Sequence, residues 1–296
     1  MPDYEPSLRQ DDAVQTAALN LFHGCAPERK AELEELWKLL NPKFQIVRDL
    51  HEGERIILDA GAYRYVRFNH RAVRAFWLSA FAAWEGYRVV AESTDLGNID
   101  LQRLSVLISA FERVLTSDQP DIESLPEGIP EPGIYPDKAV DPQARAVAEL
   151  ATIATGWALL HEVRHIQHQQ HGSGADPHGD DQAAFHKEEM SCDFFATAFL
   201  LDKIQDYSSS TSSDVKAVRR KRELGIYFAM FTLVLLARPK WTSTRTHPSV
   251  QDRLDAVMAQ LGHERDEIAE AIAHTAFAAL RSLCPDAPGV AATHAG

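Results

Sequence analysis

Along residues 142–170, apolar side chains recur every three or four positions: Val147, Leu150, Ile153, Ala154, Trp157 and Leu160. That period is the mark of a long helix, and His171-Gly172 supplies the stop signal expected at its end. The same period predicts helices over 27–40, with Leu33, Leu36, Trp37 and Leu40 on one face, and over 71–91, with Phe76, Trp77, Phe81 and Trp84. Further helices are expected over 99–115, 183–206, 248–261 and 265–283, and an apolar helix over 224–237 that Pro239 ends. Between the first two helices the pattern changes. Residues 44–48, 55–59 and 63–68 alternate or run apolar, are rich in Ile, Val and Tyr, and are separated by Glu52-Gly53 and Ala60-Gly61. They predict a small antiparallel sheet, so the expected class is mainly α with that sheet, α+β.

Residues 117–137, rich in Pro and acidic residues and without periodicity, read as a surface loop or linker. The expected organisation is an N-terminal lobe over 1–138 that holds the sheet and the first helices, a helical lobe over 139–284, and a disordered tail of small and polar residues over 285–296.

Composition adds exclusions. The 296 residues are 45% hydrophobic and 25% charged, the balance of a globular chain, and the formal charge is −13. A polyanion repels phosphate backbones, so nucleic acid is not an expected partner. The one basic run, Lys216, Arg219, Arg220, Lys221 and Arg222, reads as a solvated helix face. Residues 224–237 are too short for a membrane span, which needs about twenty apolar residues, and read as a buried helix. The polar, acidic stretch 1–12 does not look like a signal peptide. Cys25, Cys192 and Cys284 are odd in number and widely spaced, which fits free thiols and a cytoplasmic location.

The candidate chemistry lies on the long helix, in His161-Glu162-Val163-Arg164-His165. Two histidines four apart share a helical face and can offer neutral imidazole nitrogens to one metal ion. The glutamate after the first histidine lies beside the open position, where it can take a proton from the attacking water. For a third ligand the sequence offers Glu189, with Asp193 one turn later placed to accept the outer N–H of a ligating histidine. His171 is the alternative. It completes a string that mimics the metzincin one, but His168 stands where that string needs a glycine to turn the chain back. Glu188 points about 100° away from Glu189 around the helix and lacks an Asp four residues on. His168, His178 and His186 read as loop or surface residues.

HExxH followed by Glu-x-x-x-Asp on a second helix resembles the gluzincin clan of zinc peptidases. In its particulars, residues 160–165 and 189–196 resemble the Lit-type phage-exclusion peptidases, with Cys192 where clan members usually carry alanine. Thr246-His247-Pro248 with Arg253 is similar to the THP…R segment of HtpX-like peptidases of that clan. The resemblance implies a zincin-like core, a Zn2+ cofactor, a cytoplasmic protein substrate that includes a host protein cut in phage defence, and an activating partner. It also implies that His247 and Arg253 approach the metal. If Pro248 opens a helix, His247 sits at the positive end of its dipole, placed for an oxyanion or for the zinc, and Arg253 can brace a carboxylate or hold substrate backbone. The expected activity is therefore zinc-dependent endopeptidase. The alternative is a zinc-stabilised binding or regulatory protein, with Cys192 or His171 as a fourth ligand closing the site.

Overall fold

The computed structural model describes residues 11–40, 43–44, 58–59, 67–68, 70–95, 98–117, 123–176 and 178–290. Its helices, in chain order, are α1 (Asp11–Gly24), α2 (Lys30–Leu40, led in by a 3-10 turn at Pro27–Arg29), α3 (His70–Ala91), α4 (Gln102–Thr116), α5 (Pro142–His171), α6 (Gln182–Leu201), α7 (Ile204–Thr211), α8 (Val215–Leu236), α9 (Val250–Leu261) and α10 (Glu267–Leu283).

α5 is the axis of the molecule. From Val147 to Val163 it is buried on nearly every side, packed against α8, α6, α3 and α1. A helix buried all round carries apolar residues all round, and here that surface is supplied by Ala148, Ala151, Ala154 and Ala158 between the larger side chains. Two glycines set how close its neighbours come. A Cβ on Gly225 of α8 would lie 2.3 Å from Ile153 Cγ2, and one on Gly156 would lie 2.2 Å from Cys25 Cβ. The helix ends follow local chemistry. Asp141, Asp181, Asp214, Ser249 and Asp266 each cap a helix by accepting from a backbone N–H in its first turn. Gly172, at φ 63°, takes the left-handed conformation that closes α5.

The α+β expectation is overturned. The strands described are two residues each: β1 (Lys43–Phe44), β2 (Leu58–Asp59) and β3 (Arg67–Phe68), in the order β1-β3-β2. β1 pairs with β3 in parallel and only β2 with β3 antiparallel, so these contacts do not amount to an antiparallel sheet. The rest of the three expected strands lies outside the described residues. Alternating apolar residues there gave a local β signal, but every buried apolar residue of the described core sits in a helix or a flanking turn. The protein is helical.

Other differences have plain causes. α1, not anticipated, contributes Ala18, Leu21 and Phe22 to the core. The helix expected over 183–206 divides at Leu201, and α7 runs into the Ser/Thr stretch until Ser212, at φ 54°, stops it. The basic run does not form a simply solvated face. Arg219, Arg220, Lys221 and Arg222 each reach a carboxylate, and the Arg222–Glu28 pair is buried at 2.8 Å. The tail expected to be disordered from residue 285 begins with buried Ala287 and Val290; residues 291–296 lie outside the description. The apolar run 224–237 is buried within α8 and its C-terminal cap, and among the described residues no helix is long and apolar enough to cross a membrane. All three cysteines are free and buried.

The α5–α8 crossing makes a direct prediction. Gly225→Ala forces Ile153 and the two helices apart, and overpacking of this kind costs about 1–3 kcal/mol. Urea unfolding of the variant should show a lowered midpoint, partly restored by adding Ile153→Val. An unchanged midpoint would mean that the two helices separate without cost.

Candidate metal centre

His161 and His165 project from the C-terminal part of α5, one turn apart, with their Nε2 atoms 3.1 Å from each other. The Trp157 ring packs 5.8 Å from the His161 ring and is fixed in turn by Nε1–H donating to Thr197 Oγ1 of α6 at 3.0 Å. α6 lies alongside and carries Glu189 into the gap. Its Oε2 is 3.4 Å from His161 Nε2 and its Oε1 is 3.3 Å from His165 Nε2. Bonds of about 2.0–2.1 Å to a tetrahedral zinc ion put neighbouring donors roughly 3.3 Å apart. The three donors therefore fit a metal ion in spacing as well as in type. Cys192 adds a fourth possibility, since its buried sulfur lies within 4.8 Å of donor atoms of both histidines. Glu189 faces both imidazoles, and Cys192 adds its influence at His165.

The outer nitrogens are held as well. Asp193 Oδ1 lies 2.9 Å from His161 Nδ1, and Arg253 of α9 grips the Asp193 carboxylate through Nε and Nη2, both at 2.7 Å. Arg253 Nη1 also lies 3.4 Å from Glu189 Oε2, so one buried guanidinium spans both α6 carboxylates. On the other side, Glu188 Oε1 is 2.7 Å from His165 Nδ1, and Glu188 Oε2 accepts from the Ala175 backbone N–H at 2.5 Å. Each histidine thus has its own carboxylate, an arrangement that fixes ring orientation and raises the basicity of the metal-facing nitrogen.

Glu188 is the residue that sequence reading set aside. Its 100° rotation from Glu189 carries it away from the metal-facing nitrogens and onto the far nitrogen of His165. The available signal was its place one residue before Glu189, opposite the second histidine of the pair.

The electrostatics follow from burial. Burial alone would lower His161, but hydrogen bonds to Asp193 and Glu189 outweigh it and hold the imidazole above its ordinary value. His165 is held well above, because Cys192, Glu188 and Glu189 together overcome the same desolvation. Burial opposes ionisation of Glu189, yet the two imidazoles and Arg253 keep it well below the usual carboxylate range. Burial pushes the Cys192 thiol up to about 11.

Glu162 follows His161 and is 8% exposed, and its charge contributes to the raised His165. His247 sits on the open side of the site. It is exposed, with Nε2 3.6 Å from Glu189 Oε1 and Nδ1 2.8 Å from Thr246 Oγ1. Its placement differs from the expectation, because α9 begins at Val250 with Ser249 as N-cap and Pro248 precedes the cap. The Ser249 hydroxyl takes the first-turn N–H of Asp252, and the turn holding His247 is fixed instead by Thr244.

The alternative ligand is not brought in. His171 ends α5 with its side chain exposed. His168 is engaged by Ser173 and Ser191, and His186 lies against the Thr244 carbonyl oxygen.

A family model described as Peptidase U49 matches residues 66–275, a span that contains every residue of this cluster. No curated protein and no solved structure gives a significant match.

Two predictions follow from the paired histidines. Glu188→Gln should weaken zinc binding about 10–100-fold, as loss of an outer carboxylate does elsewhere, with little change in the circular dichroism of the helices. A competition titration against a chelating dye reads this, and undiminished affinity would remove Glu188 from the site. Second, the surroundings shift both imidazoles toward their protonated forms without metal, whereas ligation needs them neutral. Zinc affinity should be full above their raised values and fall as pH drops through them, with protons released on binding. Calorimetry in buffers of different ionisation enthalpy measures that release.

Proposed function

The chain belongs to the peptidase U49 family, and we propose that within it this protein is a zinc-dependent endopeptidase whose metal is held by His161, His165 and Glu189. The observation that carries the proposal is the convergence of two imidazole nitrogens and one carboxylate, all within 3.1–3.4 Å of one another, with a separate carboxylate on each outer nitrogen. A zinc ion bound there supplies a Lewis acid that polarises a peptide carbonyl and lowers the pKa of the attacking water. The remaining steps belong to side chains. Glu162, adjacent to His161 on α5, takes the proton of that water and returns it to the departing amine. His247, on the exposed side of Glu189, donates a hydrogen bond to the carbonyl oxygen as negative charge gathers on it. Arg253 and Asp193 act through the ligands: the guanidinium steadies both α6 carboxylates and Asp193 orients His161. The alternative expectation for Arg253, contact with substrate backbone, is less favoured because the side chain is buried against Asp193.

Family membership makes a protein or peptide the substrate class. The resemblance to Lit-type phage-exclusion peptidases directs the search to a cytoplasmic host protein cut during phage infection, and to a partner that releases the activity. The two-lobe organisation, 1–138 and 139–284, is part of the same proposal, with the site residues named above all in the second lobe.

Cys192 supports one rival reading. Its sulfur near both histidines offers a fourth protein donor, and a metal held by four protein ligands would be structural. Cobalt substitution separates the two: a thiolate-to-cobalt charge-transfer band absent from Cys192→Ser would establish the closed site.

The principal test is Glu162→Gln. The variant should bind zinc stoichiometrically while cleavage of a protein substrate falls at least 100-fold, measured alongside wild type on proteins from cells expressing each form. Retained cleavage would refute the role of Glu162, and absence of zinc from the wild-type protein would refute the metal centre.

A further inference from the structure

Away from the metal centre, a cleft of about 390 Å³ opens between the first half of α5 and the first half of α8, lined also by Tyr135 before α5 and Tyr207 of α7. Its size is that of a small-molecule pocket. Its walls carry Arg145, Lys221 and Arg222 against a single carboxylate, Glu149. Arg145 Nε at 2.7 Å and Lys221 Nζ at 2.5 Å share the two oxygens of Glu149, so one carboxylate is divided between two cations. Arg222, 4% exposed, spends Nη2 on Glu28 at 2.8 Å. Its Nε and Nη1, and the Nη1 and Nη2 of Arg145, have no hydrogen-bond partner among the described residues. Both guanidinium groups are braced on aromatic faces, Arg145 at 4.8 Å from the Tyr135 ring centre and Arg222 at 5.6 Å from that of Tyr207.

We propose that this cleft binds a small molecule through a phosphate group. Two braced guanidinium groups, Arg145 on α5 and Arg222 on α8, with the Lys221 ammonium in the same lining, supply the fork and point-charge donors that a phosphate oxyanion takes. The charge agrees. The walls carry a surplus of two positive charges, of which Glu28 behind them offsets one, in a chain whose net charge is −13. A phosphate monoester brings roughly −1.5 to −2 and has little other reason to approach so acidic a protein. Glu149 and His161 are twelve residues apart on α5, roughly 18 Å at about 1.5 Å per residue, so the cleft is separate from the metal centre. The proposal does not rest on zinc chemistry.

The test is calorimetric titration of the full-length, metal-loaded chain at constant ionic strength, with inorganic phosphate in one arm and adenosine monophosphate in the other. Saturable binding is expected, weakened about tenfold or more by Arg145→Gln and by Lys221→Gln, two partly exposed positions whose loss leaves the helical circular dichroism unchanged. Tighter binding of the monophosphate assigns the site to an organic phosphate, and equal binding assigns it to the inorganic ion. Binding that fails to saturate, that survives both substitutions, or that acetate matches at equal concentration overturns the proposal.

Discussion

A buried ionised group is stable only when it is paired, and this molecule buries five charged or imidazole side chains in one cluster. His161, Glu162, Glu189, Asp193 and Arg253 are each less than 9% exposed, with His165 at their edge. Stranding one charge of such a set typically costs about 3–5 kcal/mol. The Arg253–Asp193 pair is the element on which the others depend. It neutralises the deepest carboxylate, which is then free to orient His161, and it places a positive charge beside Glu189, which stays ionised despite burial. Removing the guanidinium would leave two buried carboxylates with only the imidazoles to balance them.

The helical scaffold makes that density possible. α5 is clamped by α8 at Gly225 and by the end of α1 at Gly156, contacts closer than any side chain would allow, so the first half of the helix has little room to shift. Rigidity there carries to the C-terminal end, where small errors in donor position matter most. α6 completes the site because residues 188, 189, 192 and 193 fall on the side of that helix that meets α5. Successive carboxylates therefore reach different nitrogens, Glu188 the outer one of His165 and Asp193 the outer one of His161.

Much of this was legible in the chain. The period of residues 142–170 placed the two histidines on one buried face, and the i, i+4 spacing of Glu189 and Asp193 placed both on the helix surface that approaches them. What the sequence could not reveal depended on which helix faces meet. Glu188 became an orienting group only through the angle between α5 and α6. Arg222, in a run that reads as solvent-facing, found a buried carboxylate 194 residues earlier in the chain, a pairing that no local pattern encodes. Of the β signal over residues 44–68, the described residues keep only the two-residue strands, and the described core is built almost wholly by helices. At His247 the failure was a matter of two residues, because a serine hydroxyl, stronger as a cap than proline is as a starter, moved the helix beginning past the proline.

The reach of Arg253 into a site built on earlier helices also orders events during synthesis. The histidines and both α6 carboxylates leave the ribosome well before the guanidinium that balances them. Until α9 is made, Asp193 and Glu189 have only the two imidazoles to offset the cost of burying them. The charge balance of the cluster is thus completed by a helix that lies late in the chain, well after the residues it steadies.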